Sequence, residues 1–304
     1  NANNTIAIGY QAGKAITSGP ANIAIGWSAG LAMTTNSSNT IIGYGAFRAA
    51  DAGEDNNVVI GLDAGAAINH ANSDDNVIIG TYAGTGGANS LRQCIVIGSN
   101  ALNSTDSNAV TGTIAIGYEA LTALTSGGGN LAIGYQAGAG VTTGTYNHFL
   151  GHETGKVHTT GHRNIAIGFA AMDDTDAGSN SLGSNDNIFM GYDAGGGTWA
   201  DAASQYNVAI GNYSMTGALN GANNNTAVGY YALANVTTAD SSIALGTGAL
   251  GNLTTGASNI GIGHQAMNVH TTGGSNIAIG HGAMDDTNAG STSLGSRYNI
   301  FMGY

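Results

Sequence analysis

The chain has 304 residues, of which only 8% are charged, against about 25% in ordinary soluble proteins. Its net charge is −12 with six Lys and Arg residues in total, which argues against a nucleic-acid partner. No apolar run approaches the roughly 20 residues that span a bilayer, and the single cysteine, Cys94, excludes an internal disulfide.

A short motif of Asn, three apolar residues and Gly recurs along the chain. Residues 276–280, which read NIAIG, are a typical copy. Successive copies are 17–23 residues apart, and a short, nearly constant period is the signature of a solenoid. The 17 closing glycines are Gly9, Gly26, Gly43, Gly61, Gly80, Gly98, Gly117, Gly134, Gly151, Gly168, Gly191, Gly211, Gly229, Gly246, Gly263, Gly280 and Gly303.

The three apolar residues before each glycine predict a short buried β-strand. Because side chains alternate across a strand, we expect Ile277 and Ile279 to fill the inside of the coil and Ala278 to face outwards. An outward apolar column repeated along the chain predicts a partner chain. The residues expected at that interface are Ala24, Ala115, Ala132, Phe149, Ala166, Phe189, Ala209, Ala278 and Phe301.

The residue four positions before the closing glycine is Asn in 13 of the 17 copies. Stacked strands lie about 4.8 Å apart, a spacing at which Asn side chains hydrogen-bond from coil to coil. We therefore predict an internal amide ladder, in which Cys94 is a small buried filler. The expected members are Asn22, Asn39, Asn57, Asn76, Asn130, Asn164, Asn207, Asn259 and Asn276.

In chain order, regular coils are followed by coils with polar insertions at 44–112, and regular coils then return. Two coils of 23 residues carry related insertions at 172–187 and 284–299. The unbroken period predicts one continuous solenoid over residues 1–304. Neither end has a polar cap, which predicts a fragment of a longer fibre.

A longer period overlies the short one. Residues 164–192 match residues 276–304 at 23 of 29 positions, a shift of 112 residues. We interpret this match as the duplication of a six-coil module, with copies at 117–228 and 229–304.

Two strings carry a resemblance to a known family. Residues 22–26 read NIAIG, and residues 133–137 read IGYQA, followed by TTG at 142–144. They resemble the head repeats of YadA-like trimeric autotransporter adhesins, and near-identical arrays occur in phage tail-fibre-like proteins. The resemblance implies a left-handed parallel β-roll, a homotrimer and a role in attachment. The 17-residue unit is longer than expected for the adhesin heads, so a bacterial adhesin and a viral fibre both stay open.

Other solenoid functions fit the sequence less well. A hexapeptide acyltransferase needs its hexad three times per coil, and the hexad occurs here once. A polysaccharide-cleaving β-helix needs paired carboxylates, but Glu54, Glu119 and Glu153 are the three glutamates and the Asp residues cluster in insertions. An ice-binding face needs a Thr-x-Thr ladder, whereas the Thr pairs here are adjacent. We therefore expect no enzymatic activity and no cofactor.

The acidic insertions and the histidines are weak metal candidates. The Asp residues lack the spacing of an EF-hand loop, so solvated turns are the plainer interpretation. His264 and His281 share a column that Tyr fills elsewhere, which favours packing over metal binding. The candidates for calcium ligands are Asp173, Asp174, Asp176, Asp285 and Asp286.

The sequence therefore predicts an all-β, parallel β-solenoid of about 17 coils with 17–23 residues each. The expected function is non-enzymatic attachment of an extracellular fibre, at a cell or virion surface, to a host receptor, glycan or matrix protein. The alternative is a structural shaft of a phage tail fibre or cell-surface filament. The irregular segment 44–112 and the Asp-rich insertions are the expected attachment regions.

Overall fold

The structure is a computed structural model that describes residues 3–87, 90–105, 109–175, 183–200, 202–285 and 296–303. Within these ranges every regular element is a short β-strand and no α-helix is present. The predicted parallel β-solenoid is confirmed. Its contacts divide the chain into two units, residues 1–147 and 148–304.

The first unit is a ladder of parallel strands that pair in chain order. A separate short pair, β6 (Leu91–Arg92) and β8 (Val110–Thr111), lies within the irregular segment. The ladder strands are β1 (Ile6–Ile8), β2 (Ile23–Ile25), β3 (Thr40–Ile42), β4 (Val58–Ile60), β5 (Val77–Ile79), β7 (Ile95–Ile97), β9 (Ile114–Ile116) and β10 (Leu131–Ile133).

The second unit repeats the same arrangement, and each strand pairs in parallel with the next. The pairing register aligns equivalent repeat positions, so Ala166 lies between Phe149 and Phe189. Its strands are β11 (His148–Leu150), β12 (Ile165–Ile167), β13 (Ile188–Met190), β14 (Val208–Ile210), β15 (Thr226–Val228), β16 (Ile243–Leu245), β17 (Ile260–Ile262), β18 (Ile277–Ile279) and β19 (Ile300–Met302).

Each coil bends at residues with positive φ angles. In the coil around Gly229, these are Asn224 at 59°, Gly229 at 138°, Tyr231 at 55° and Leu233 at 49°. Positive φ is uncommon for residues other than glycine. Backbone hydrogen bonds between coils accompany these turns: Leu233 N donates to Ala249 O at 3.0 Å and Tyr231 N to Asn212 O at 3.2 Å.

In every three-residue strand except the terminal β1 and β19, the middle residue is buried inside the coil. The predicted assignment of the two strand faces was therefore wrong. Ala166 is fully buried, whereas Ile167 beside it is 38% exposed. Eight of the nine residues expected on an outer interface are completely buried within the chain, and Phe301 is exposed. The eight are Ala24, Ala115, Ala132, Phe149, Ala166, Phe189, Ala209 and Ala278.

The narrow interior explains this orientation. The fourth residue after the closing glycine also points inwards; a side chain added at Gly261, in the middle of β17, would meet Leu250 at 3.0 Å. Where the middle residue is instead a phenylalanine, that fourth residue is glycine. The rings of Phe149 and Phe189 come within 2.5 Å of a Cβ added at Gly155 and Gly195, respectively. The phenylalanines therefore fill the interior, and small middle residues leave room for a large side chain opposite.

Candidate functional site

The nine predicted ladder asparagines are all buried, and most are joined from coil to coil. The side-chain oxygen of Asn187 accepts hydrogen bonds from Asn207, 3.0 Å from its backbone N and 3.1 Å from its Nδ2. The Asn207 Nδ2 also donates to Ala222 O at 2.8 Å, in the turn of the next coil. Each amide of this kind ties its strand to both neighbouring coils.

Cys94 interrupts the ladder in the first unit. Its backbone N donates to Asn76 Oδ1 at 3.0 Å, as an asparagine would. Its thiol replaces the side-chain amide and lies 3.6 Å from the carbonyl oxygen of Val110. Burial raises the pKa of this thiol to about 11, so Cys94 is an unreactive core residue rather than a nucleophile.

A second ladder, which the sequence reasoning missed, runs along the half-exposed turn six residues before the closing glycine. Its Asp and Asn side chains accept backbone N–H groups of the preceding coil: Asp55 accepts from Ser37 at 2.6 Å and Asn223 from Gln205 at 2.9 Å. The recurrence of Asp or Asn at this column was the available signal, but such residues are also common in solvated turns.

We expect the replacement of Asn164 by Leu to lower the free energy of unfolding by about 1–3 kcal/mol. Asn164 Oδ1 accepts from Asn187 N and Nδ2 at 3.0 and 3.1 Å, and its Nδ2 donates to Ser184 O at 2.9 Å. The change would leave these buried groups without those bonds. The matched control, Asn223→Leu, lies where water can replace the lost bonds. Urea titration of both variants is the test, and equal losses would contradict an internal ladder.

His158 is a buried histidine attached to the ladder. Its Nε2 lies 3.1 Å from Asn164 Nδ2, and its Nδ1 lies 3.0 Å from Thr175 Oγ1. The amide Nδ2 of Asn164 can only donate, so its contact with Nε2 suits a neutral ring with an unprotonated Nε2. Burial lowers the pKa of His158 to about 4, and protonation would place two donors against each other. A hydrogen bond to the Gly161 backbone acts in the opposite direction and raises the pKa, but burial has the larger effect.

Acid should therefore destabilise the chain through His158. The unfolded histidine titrates near pH 6.5, so between about pH 6.5 and pH 4 the folded chain binds fewer protons. The free energy of unfolding should fall across this window as the pH drops, by up to about 3 kcal/mol. His158→Leu is a conservative test, because Leu124 and Leu253 occupy this column in other coils. Urea titrations at several pH values should show that the free energy of unfolding of the variant depends less on pH than that of the unaltered chain. An equal dependence in both would contradict this role of His158.

A row of aromatic residues lies on the outer surface, one position after the closing glycine. The rings stack from coil to coil: Trp27 and Tyr44 have centroids 4.5 Å apart and planes at 10°. In the second unit, Phe169 stacks on Tyr192 at 5.2 Å, and His264 stacks on His281 at 4.9 Å. These histidines therefore occupy ring-stacking positions. The stacked rings cover one another's faces and turn their edges to solvent, forming rigid apolar rows.

The first and third strand residues form aliphatic rows beside the aromatic row. Ile210, Val228, Ile243 and Leu245 are exposed examples from the second unit. Alternation across the strand puts these residues outside because the middle residue is inside. The outward apolar surface therefore consists of these larger residues and not of the predicted alanine column.

The acidic insertions are described only in part. Asp173 and Asp285 each have a buried Oδ1 without a hydrogen-bond partner, and Asp174 Oδ2 accepts from Thr198 Oγ1 at 2.5 Å. Asp176 and Asp286 lie outside the described residues. No group of three metal-ligating side chains occurs in the described ranges. Burial and then the nearby Asp193 raise the pKa of Asp173 to about 6.

The glutamates and threonines serve local structure. Glu54 Oε2 accepts from Asn36, Glu119 from Gln136, and Glu153 from Lys156. Glu54 Oε1 is buried and has no hydrogen-bond partner among the described residues. The threonine hydroxyls bond to the next coil: Thr237 Oγ1 donates to Thr254 O at 3.1 Å and Thr254 Oγ1 to Thr271 O at 3.0 Å. These hydroxyls reinforce the stack.

No model of a known protein family matches the chain, and no curated protein matches it. In the part of the chain that the structure describes, no helix is long and apolar enough to cross a bilayer.

Proposed function

We propose that the chain is part of an extracellular, non-enzymatic fibre that attaches to a host cell or surface, similar in role to YadA-like adhesin heads. The observation that carries the proposal is the parallel stack of coils with stacked aromatic rings along its outer face. A surface of rigid rings, repeated from coil to coil, suits contact with an extended surface. The ladder of buried amides and interlocking turns suits a protein that bears load.

The proposal includes self-association into a homotrimer. The outer rows contain exposed aliphatic residues such as Ile133, Ile167 and Ile210, and soluble monomers rarely expose long apolar patches. Because the alanine column is buried within the chain, these outer rows are the surface through which we propose that neighbouring copies meet. Native mass spectrometry should show a trimer, and Ile167→Asp with Ile210→Asp should shift it towards monomer. A monomeric unaltered chain at micromolar concentration would overturn self-association.

Attachment is tested with fluorescent microspheres that carry the 304-residue chain. The spheres are washed over epithelial cells, Gram-negative bacteria and wells coated with collagen or fibronectin. Retention on one of these surfaces, above that of albumin-coated spheres, supports attachment and shows whether cells or matrix are the target. Retention no higher than that of albumin-coated spheres on every surface would contradict attachment and favour a structural shaft.

A further inference from the structure

A notch opens on the outer face of the second unit, across the coils that follow Gly229, Gly246 and Gly263. Its volume is about 280 Å³. Pockets that enclose drug-sized ligands measure about 300–1,000 Å³, so the notch has room for a small ligand or for one part of a larger one.

Two glycines create the notch. The second residue after the closing glycine is Tyr213, Tyr231, Gly248 and Gln265 in four successive coils. Gly248 therefore leaves a gap between the side chains of its neighbours, and Gly251 lies on the same face. A Cβ added at Gly248 would meet Gln265 Cγ at 3.4 Å, an ordinary contact. A side chain at position 248 would consequently fit, and it would occupy the notch.

One wall of the notch is aromatic. The ring of Tyr231 stacks on Tyr213 with centroids 5.1 Å apart and planes at 13°, which covers one face of Tyr231. Gly248 holds this column in the next coil, so no side chain at that position stacks on Tyr231. Tyr230 stands at 88° to Tyr231, with centroids 4.4 Å apart. The two rings, 48% and 41% exposed, form a corner with an open aromatic face.

The opposite wall carries side-chain amides. Gln265 and Asn268 line the notch, and neither side chain has a hydrogen-bond partner among the described residues. At one side, Asn235 Nδ2 donates to Asn252 Oδ1 at 2.9 Å. Among the described residues, none of those that line the notch is charged. A groove that shares Asn235 and Asn252 continues from it along the threonine row that ends at Thr271.

We propose that this notch binds a neutral saccharide, with one sugar ring on Tyr231 and its hydroxyls at Gln265 and Asn268. A pyranose has an apolar C–H face that suits an open aromatic ring. Its hydroxyl rim suits amides, which both donate and accept hydrogen bonds. The uncharged lining favours a neutral sugar over an acidic sugar or a phosphate. Neutral saccharides would then be the class of ligand to which the fibre attaches. The biological role of the site therefore rests on the proposed attachment function.

The site is tested by titrating the chain with cellotriose, maltotriose and chitotriose, and with sialyllactose as an acidic comparison. Saturation-transfer NMR is the readout. Gly248→Gln fills the notch, and Gln11, Gln136 and Gln265 show that glutamine adopts φ angles of 51–58° at this column. Tyr231→Gln removes the aromatic face. Tyr82→Gln is the matched control, because Tyr82 holds the same repeat position in the first unit.

We expect at least one neutral trisaccharide to bind, and each notch variant to weaken it by about tenfold or more. Tyr82→Gln should leave binding unchanged, and all three variants should retain the circular dichroism of the unaltered chain. The proposal fails if no neutral trisaccharide binds at millimolar concentration, if sialyllactose binds more tightly than the neutral sugars, or if Gly248→Gln binds as well as the unaltered chain.

The microsphere assay separates this proposal from the broader one. One outcome is that the chain is retained on a surface while Gly248→Gln changes neither sugar binding nor retention. That result would contradict the saccharide site in the notch but still support attachment. Sugar binding that Gly248→Gln abolishes, without retention on any surface, would support the notch and contradict attachment.

Discussion

Replacement of Ala166 by Asp should strongly destabilise the second unit at neutral pH. Ala166 is completely buried, and its neighbours in adjacent strands are Phe149 and Phe189. A carboxylate there would be removed from water without a partner. An uncompensated buried charge costs about 3–5 kcal/mol, and the extra volume between two rings adds strain. Many small domains have a total stability of only about 5–15 kcal/mol.

Ile167→Asp is the matched control for that prediction. Ile167 is the next residue in β12 and is 38% exposed, so its carboxylate would remain hydrated. The expected loss of folding stability is about 1 kcal/mol, although association between copies should weaken. Circular dichroism and urea titration distinguish the two variants. A folded Ala166→Asp chain that had lost only its association would show that the alanine column is an interface after all.

Gly229→Ala should have the second large effect. Gly229 has φ 138°, and an added Cβ would lie 2.6 Å from the carbonyl oxygen of Gly246 and 2.7 Å from its carbon. Both atoms are backbone, so the clash is relieved only by separating two coils. Backbone strain of this kind costs about 1–3 kcal/mol by itself, and the disrupted hydrogen bonds between coils add to it.

Gly282→Ala tests whether the destabilisation comes from the clash with the next coil or from replacing any glycine with positive φ. Gly282 has φ 61°, and a Cβ there meets no atom of the described residues within 4 Å. Other coils place Ser28, Gln136 and Tyr231 at this column with φ angles of 51–55°. We expect a change below about 1 kcal/mol. Similar thermal unfolding midpoints for the two variants would contradict the steric explanation of the glycine column.

The sequence shows where the closing glycine of each motif lies, but only the structure explains why it is a glycine. Its recurrence marked the end of every strand. The structure shows that a Cβ at this position would clash with the backbone of the closing glycine in the next coil. The same stacking accounts for the notch, since Gly248 becomes a gap only when Tyr231 and Gln265 lie on either side of it.

The amino-acid sequence by itself determined the period, the position and direction of every ladder strand, and the column of buried asparagines. These features repeat at each coil, so a single periodic pattern carries them. Only the tertiary structure decided which face of the strand is internal. A strand such as Ile165–Ile167 is apolar on both faces. Alternation assigns its side chains to two faces but does not show which face is internal. The narrow interior settles the choice, because a Cβ added in the middle of β17 would already meet Leu250 at 3.0 Å, so the small middle residues are the ones that fit inside.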